Sequence, residues 1–435
     1  MPIRELRFAG REDWPPIRDL LAKRRRPDVE IERRVREIIQ RVQQDRDAAL
    51  VEYTRRFDCP GFEPARLKVA PAEIKAAASG LPREDLDILA EATANVRAFH
   101  ARQAEQSWQA ETGDGAILGQ LVRPIERVGL YVPGGQGGET PLISSLIMNT
   151  VPARIAGVRA IAVVSPPRRD GSLNPYILAT ANLLGLDEIY RVGSAWAVAA
   201  LACGTETIAR CDMLAGPGNI YVATAKSLLR DTVGIDMLAG PSEILVLADA
   251  SANPDWLAAD LLSQAEHDPL ASALLVTTDP ALGKAVIGRL AARLKELGRC
   301  EIAAKALADF GACVLVPDLA AGLELANRVA PEHLELAVAE PWAVVEQVRH
   351  AGAIFVGQHS PEPVGDYFAG PNHVLPTLGT ARFSQALSVQ SFCKKSSLLA
   401  ISPEYLRRHG AKIARLARLE GLEAHARSVE CRIKD

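Results

Sequence analysis

The sequence of 435 residues lacks the features of secreted, membrane-bound and nucleic-acid-binding proteins. Its seven cysteines are odd in number and include no CxxC pair, so we expect reduced thiols rather than a disulfide framework. No apolar run is long enough to cross a bilayer, and the N-terminal MPIRELRFAGREDW contains no apolar signal-peptide core. A net charge of −3 gives no electrostatic reason to expect nucleic acid or an anionic membrane as partner. We therefore predict a cytoplasmic protein without such partners.

The basic cluster KRRRPD at residues 23–28 is short and is soon followed by acidic residues. Such a cluster is typical of a solvated arm, and we predict one here. With 48% hydrophobic residues, the chain can bury a large core and form more than one domain.

Two kinds of pattern follow each other along the chain. The stretches at 28–58 and 85–103 keep apolar stripes at helical spacing and predict long amphipathic helices. After Arg127, short β-rich runs alternate with helical stretches: RVGLYVP, RAIAVVSP, EIYRVGS, EILVLAD, ALLVTTD, ACVLVPD and AGAIFVG. This alternation predicts an α/β fold with two parallel sheets, followed by a basic, helical C-terminal arm.

Three glycine-rich turns interrupt the α/β region. GLYVPGGQGGETPLISSLIMN predicts a strand, a glycine loop and a helix, an arrangement that can present N–H groups to an anion. It does not match the dinucleotide fingerprint GxGxxG, because Thr140 stands where the last glycine would fall. AGPGN and AGPS place Asn219 and Ser242 beside further turns, which turn chemistry alone would explain. Several such loops at strand ends favour a site for a phosphate-bearing or small polar ligand.

The segment LLSQAEHDP at residues 261–269 ends an apolar helix with a group of polar side chains. Gln264 and His267 stand three residues apart, so on a helix they would lie on the same side. A solvated helix end and half of a metal site both explain this pattern, and the segment alone leaves both open.

Histidine is scarce, and four of the eight histidines stand among carboxylates or amides: His267, His333, His373 and His425. The others are interpreted as structural or surface residues: His100, His350, His359 and His409. A metal site that combines Gln264, an acid such as Asp366 and two histidines would contain no thiolate. Such a ligand set favours an open catalytic zinc site over a closed structural one. The alternative is a set of unrelated polar loops.

In APEHLELAV, Pro331 predicts the first turn of a helix, with Glu332 and His333 at its N-terminus. A carboxylate at that position would complement the helix dipole. Alternatively, the two residues form a titratable pair in which the histidine is a general base near neutral pH.

Taken together, these stretches resemble the histidinol dehydrogenase family. The matching segments occur in order over essentially the whole chain: RVGLYVPGG, MNTVPARIAGV, AGPGNIYVATAK, GIDMLAGPSEILVLAD, LLSQAEHDP, APEHLEL, GDYFAGPNHVLPT and EGLEAH. The resemblance implies two successive NAD-dependent oxidations at one site, from L-histidinol through L-histidinal to L-histidine. It also implies a homodimer with shared active sites, in which each chain forms two incomplete Rossmann-like domains and swapped terminal arms.

Carried over residue by residue, the resemblance implies four zinc ligands: Gln264, His267, Asp366 and His425. His333 would take the proton from the alcohol, and Glu332 would activate water for the second oxidation. The zinc ligands and His333 would contact the substrate, as would Ser242, His373 and Glu420.

On the cofactor side, the resemblance implies contacts from Tyr131 and Asn219 to NAD. One position departs from the family pattern, which usually has glutamine within GGAQA, because this chain reads GSAWA with Trp196 there. The glycine loop GGQGGETPLISS is also longer than the commoner form. Stacking of Trp196 on NAD could replace the polar contact.

The predicted division comprises a small helical N-terminal arm at 1–24, a first Rossmann-like domain at 25–130 and 242–387, a second at 131–241, and a helical C-terminal arm at 388–435. The alternatives for function are a dehydrogenase on the same scaffold for another small alcohol, such as dihydroxypropanesulfonate, and a non-catalytic binding protein.

Overall fold

The computed structural model describes residues 3–25, 29–134 and 141–433. The glycine loop at 135–140 and the end of the basic cluster at 26–28 lie outside the described residues. Over the described ranges, no helix has both the length and the apolarity that crossing a membrane requires.

The first sheet has six parallel strands, in the order β1, β11, β10, β9, β12 and β13. These strands are β1 (Arg4–Arg7), β11 (Ala312–Leu315), β10 (Ser272–Thr277), β9 (Glu243–Ala248), β12 (His333–Ala337) and β13 (Ala353–Val356). Alternate residues of β9 enter opposite cores, because successive side chains of a strand point to opposite faces.

Helices cover both faces of this first sheet. One face packs against α9 (Pro254–Ala265), α10 (Pro280–Arg293) and α11 (Cys300–Phe310). The other packs against α1 (Trp14–Ala22), α12 (Leu319–Val329) and α13 (Trp342–Val345). Burial on both faces explains why the central strands β9, β10 and β11 read as mostly apolar runs.

The second sheet has five parallel strands, in the order β6, β5, β4, β7 and β8. They are β6 (Glu188–Arg191), β5 (Ala160–Ser165), β4 (Arg127–Tyr131), β7 (Met213–Ala215) and β8 (Gly234–Ile235). One face packs against α2 (Val29–Phe57), α7 (Ser194–Cys203) and α8 (Ile220–Leu229). The other packs against α3 (Pro71–Ala76), α4 (Arg83–Ala101), α5 (Ile143–Ala156) and α6 (Pro175–Leu183). The predicted α/β class with two parallel sheets is confirmed.

A third, antiparallel sheet pairs β14 (Cys393–Ala400) with β3 (Ile117–Pro124) and β3 with β2 (Trp108–Glu111). It is followed by α15 (Pro403–Leu419) and α16 (Glu423–Glu430), which pack on each other. The short α14 (Glu362–Tyr367) follows β13. Both terminal segments therefore contribute a strand, β1 or β14, besides the helices that were predicted for them.

The predicted domain division remains a prediction, and the packing differs from it in two respects. Helices α2 and α4, from the segment at 25–130, pack on helices of the second sheet. Strand β4 crosses the boundary that was predicted at residue 130. These helices precede the second sheet in sequence and cover it in space.

Two local predictions from the sequence are wrong. Glu332 and His333 do not begin a helix, because α12 ends at Val329 and Ala330 takes a left-handed conformation with φ 52°, from which the chain enters β12. Pro331 therefore follows a helix instead of opening one. The basic cluster is not wholly solvated either, since Arg24 is buried against β9.

Candidate active site

The proposed catalytic residues lie at the amino edge of the first sheet. His333 is the first residue of β12, Glu332 precedes it, and Ser242 immediately precedes the neighbouring β9. Gln264 reaches the same edge because α9, which follows β9, returns towards the strand starts and ends at Ala265. Open α/β sheets usually bind ligands at the carboxyl edge, so the AGPS turn lies at the opposite end of its strand from the one expected.

Close backbone packing fixes Glu332 at this edge. The amide of Ala353 donates to the Glu332 carbonyl at 2.8 Å, and the preceding Gly352 amide donates to the Pro331 carbonyl at 2.9 Å. A Cβ on Gly352 would lie 2.6 Å from the Glu332 carbonyl oxygen, so a side chain at 352 would push the two segments apart.

Hydrogen bonding selects one tautomer of His333. Its Nδ1 lies 3.1 Å from the Glu243 carbonyl oxygen and 2.8 Å from Gln264 Oε1. A backbone carbonyl can only accept, so Nδ1 carries the proton and donates it. Burial lowers the pKa of His333 and favours the neutral ring. The lone pair is then on Nε2, which is buried, has no hydrogen-bond partner among the described residues, and lies 3.9 Å from Asp366 Oδ1.

Glu332 is a buried carboxyl group beside this histidine. Its Oε2 accepts from the Glu243 amide at 2.9 Å and lies 3.8 Å from His333 Nδ1. Burial raises the pKa of Glu332 well above its usual range, although the hydrogen bond from Glu243 opposes the shift. A buried carboxyl group whose pKa is raised in this way holds its proton more tightly than an exposed one, and such perturbed groups are typical of proton-transfer sites.

A group able to bind a metal ion lies next to His333. His267, Glu362 and Asp366 each offer one ligand atom, and these atoms lie within 4.8 Å of one another. Burial is the largest cause that raises the pKa of Asp366, and the neighbouring Glu362 carboxylate is the next. Together they raise the pKa of Asp366 to about 9. Two adjacent carboxyl groups in a buried place repel each other as anions, and a bound cation would remove that cost. The donor set of nitrogen and oxygen atoms suits zinc.

Three of the predicted ligands lie in one region around His333: Gln264, His267 and Asp366. Glu362 was missed. Its signal in the sequence is its position four residues before Asp366, which places both on one side of a helix. The Nε2 atoms of Gln264 and His373 are also buried without partners among the described residues, which leaves polar atoms available to a ligand.

His373 connects the two halves of the molecule. Its loop approaches the AGPS turn, where the Gly240 amide donates to Thr377 Oγ1 at 2.7 Å. On the other side, His373 interacts with the backbone of Ser144 in α5, beside the second sheet. Burial lowers the pKa of His373 to about 4, so the ring is neutral near pH 7.

The residues predicted to contact NAD lie at the carboxyl edge of the second sheet. Tyr131 ends β4, and its hydroxyl accepts from the Ser194 amide at 3.0 Å. Asn219 follows β7 and caps α8, accepting from the Tyr221 amide at 3.1 Å. The AGPGN turn packs directly on β4, because a Cβ on Gly216, with φ +113°, would lie 2.2 Å from the Tyr131 carbonyl oxygen. This edge is the usual ligand edge of an open sheet.

A sequence profile of the histidinol dehydrogenase family matches residues 21–433. The histidinol dehydrogenase of Oleidesulfovibrio alaskensis is 61% identical over 433 residues, which cover 100% of both chains. The chain belongs to the histidinol dehydrogenase family. The enzyme of that name from Nitratidesulfovibrio vulgaris is 58% identical over 99% of both chains. The crystal structure of histidinol dehydrogenase from Elizabethkingia anophelis superposes with a TM-score of 0.92 at 35% identity, covering 99% of this chain and 98% of that one.

Trp196, the position that departs from the histidinol dehydrogenase pattern, belongs to the core. The side chain is 4% exposed and stacks with Tyr53 and Phe57 of α2, with ring centroids 5.5 and 5.6 Å away. Almost no surface of the ring is left for NAD, so the hypothesis that Trp196 stacks on the cofactor is wrong. Its role is to join α7 to α2.

Restoring the residue usual in the family should therefore destabilise this protein. Trp196→Gln removes a stacked ring and places an amide among apolar side chains, and we expect the free energy of unfolding to fall by about 3–5 kcal/mol. Urea denaturation measures this loss. Trp342 is 76% exposed, so Trp342→Gln is the matched control, with an expected change of about 0.5 kcal/mol or less. Equal stability of the two variants would contradict the core role of Trp196.

The remaining predicted residues of the histidinol dehydrogenase site lie on the C-terminal segment. Glu420 caps the end of α15, His425 lies in α16, and both are exposed. The nearby Leu416, Leu419 and Leu422 are also exposed, at 63%, 66% and 41%. The group formed by His267, Glu362 and Asp366 does not include His425.

Proposed function

We propose that the protein is a zinc- and NAD-dependent histidinol dehydrogenase of histidine biosynthesis, which oxidises L-histidinol through L-histidinal to L-histidine. The observation that supports this most is His333, whose Nδ1 is held by acceptors while Nε2 is buried, unpaired and close to a group that can bind a metal. Family membership supports histidinol as the substrate, because the relatives are named for it.

His333 would act as the base for the alcohol. In the tautomer that the Glu243 carbonyl selects, Nε2 would accept the hydroxyl proton, while NAD, when bound, would supply the hydride acceptor for the carbon that bears the hydroxyl group. Glu332 and Asp366 lie 3.8 and 3.9 Å from the ring nitrogens, and the carboxylate form of either residue would stabilise the positive charge that then develops on the ring.

Glu332 would act in the second oxidation. An aldehyde carries no hydride that can leave to give an acid until water has added, so a base is needed to activate that water. The carboxylate form of Glu332, which is buried and lies 3.8 Å from His333 Nδ1, would take a proton from that water as the water adds to the aldehyde, and would release it afterwards.

Gln264, His267, Asp366 and the partner's His425 would hold the zinc, which when bound orients the substrate's imidazole and amine as a Lewis acid. Glu362 interacts with Asp366 and would orient it. Ser242, His373 and Glu420 would line the substrate pocket, where the Glu420 carboxylate suits the protonated amine of histidinol. Tyr131 and Asn219 would contact NAD at the carboxyl edge of the second sheet.

Removal of the metal should abolish activity. We expect dialysis against a chelator to reduce histidinol-dependent NADH formation to background, because the substrate loses the ion that orients it. Added zinc should restore NADH formation. Elemental analysis should find one zinc per active site. Full turnover by protein shown to be metal-free would contradict the zinc assignment.

A homodimer with shared sites accounts for the exposed C-terminal segment. Leu416, Leu419 and Leu422 need an apolar surface to cover them, and a second copy of the chain would provide it. The same contact would bring Glu420 and His425 to the partner's site. All seven cysteines are free, which agrees with the proposed cytoplasmic location.

The experiment that tests the function compares steady-state NADH formation with L-histidinol and with dihydroxypropanesulfonate. Turnover of histidinol alone supports the proposal. Turnover of the sulfonate alone would show a dehydrogenase for another alcohol on the same scaffold, and turnover of neither would favour a binding protein.

A further inference from the structure

Arg24 occupies a buried position that its place in a basic cluster did not predict. Its side chain is fully buried, in the short helical turn that follows α1. The guanidinium donates to the Glu243 carboxylate and to the carbonyls of Leu270, Pro241 and Ser242, the carbonyl bonds being 2.7, 2.6 and 2.9 Å long. One side chain from the N-terminal segment therefore fixes the residues that lead into β9 and β10.

Arg24 binds the side chain of Glu243, and the main chain of Glu243 contacts both proposed catalytic side chains. The Glu243 amide donates to Glu332 Oε2 at 2.9 Å, and the Glu243 carbonyl faces His333 Nδ1 at 3.1 Å. A displacement of Glu243 would therefore move Glu332 and, at the same time, weaken the hydrogen bond that selects the tautomer of His333.

The geometry requires a guanidinium and not merely a positive charge. Arginine presents five donors in a rigid plane, whereas lysine offers three donors on one nitrogen atom. Four acceptors in two separate stretches of chain, residues 241–243 and Leu270, surround Arg24, and a single ammonium group cannot reach them all. The carbonyls of Pro241 and Ser242 also belong to the AGPS turn, which carries the proposed substrate contact.

We infer that Arg24 is a positioning residue for the catalytic pair, acting through Glu243; this inference rests on the proposed function. Arg24 reaches neither Glu332 nor His333 by a hydrogen bond of its own in the described structure. Its effect is on the placement of reacting groups, and a misplacement of about 1 Å can cost a reaction about 100-fold in rate.

The test compares Arg24→Gln and Arg24→Lys with Arg127→Gln. Arg127 is the matched control, because it also donates to a carboxylate, of Glu188, and to a carbonyl, of Ala209, but at the start of β4, on the opposite edge of its sheet from Tyr131. We expect both Arg24 variants to lower kcat for histidinol about 10- to 100-fold, with KM for NAD and zinc content unchanged. Arg127→Gln should keep the kcat of the unmodified protein.

Arg24→Lys separates positioning from charge and from folding. It keeps the charge and should retain more thermal stability than Arg24→Gln, yet its kcat should stay low. If Arg24→Gln does not fold, Arg24→Lys provides the same measurement. Recovery of kcat by lysine, or losses equal to those of Arg127→Gln, would overturn the positioning role. Absence of histidinol turnover by the unmodified protein would instead overturn the proposed function.

Discussion

Replacing His333 with asparagine should lower kcat for histidinol oxidation by about 10²- to 10⁴-fold, the contribution of a positioned general base. Asparagine can keep the donor that faces the Glu243 carbonyl, now 3.1 Å from Nδ1, but has no basic nitrogen in place of Nε2. The fold should therefore survive while proton removal fails. Stopped-flow or steady-state measurement of NADH formation determines the loss.

The control for this variant is His359→Asn. His359 is exposed and its ring contacts Trp256, outside the group formed by His333, Gln264 and Asp366. We expect its kcat to match that of the unmodified protein. A His333→Asn enzyme with unimpaired histidinol oxidation and intact thermal unfolding would show that another group removes the proton.

The second large effect should be the recovery of activity in mixed dimers. His333→Ala and His425→Ala chains should each be nearly inactive alone. If each site takes His425 from the partner, a mixed dimer has one site with both residues intact and one that lacks both. Random reassociation after unfolding and refolding of an equal mixture should then restore about a quarter of the normal activity, because about half of the dimers are mixed.

Mixing His333→Ala with Glu332→Gln provides the negative control when formation of L-histidine, the product of both oxidations, is measured. Both residues lie in the same chain's site, at the start of β12, so no mixed dimer of these variants has an intact site. Verified mixed dimers of His333→Ala and His425→Ala that remain inactive would contradict the shared site and place His425 in its own chain.

Periodicity predicted the parallel sheets because both of their faces are buried. All seven β-rich runs form strands, and the long stripes at 28–58 and 85–103 correspond to α2 and α4. The third sheet was missed because none of its strand residues is buried. Strand β14, for example, contains exposed polar residues such as Lys394 and Ser396. Its sequence therefore lacks the alternation of apolar and polar residues that predicts a strand.

Local patterns failed where a longer-range contact decides the structure. The local pattern at Pro331 predicts the start of a helix, but Ala330 and the pairing of β12 with β9 and β13 determine a strand there. The basic cluster predicts a solvated Arg24, and the local sequence cannot show otherwise because the acceptors of Arg24 are more than 200 residues away in the chain. The spacing of neighbouring residues cannot predict a contact between segments so far apart in sequence.

For the candidate site, motif chemistry identified Gln264, His267 and Asp366, which the fold brings to one region around His333. Glu362 was overlooked although it stands one helical turn before Asp366. The edge of the sheet could not be predicted, because the AGPS and AGPGN turns look alike in sequence while one precedes β9 and the other follows β7.

The most direct test of the proposed function is the stoichiometry of a single reaction. With limiting L-histidinol and excess NAD, NADH is measured by absorbance and the products by chromatography. A site in which His333 serves the alcohol and Glu332 the aldehyde should give two NADH and one L-histidine per histidinol consumed. One NADH per histidinol with accumulation of histidinal, or no NADH at all, would contradict the proposal.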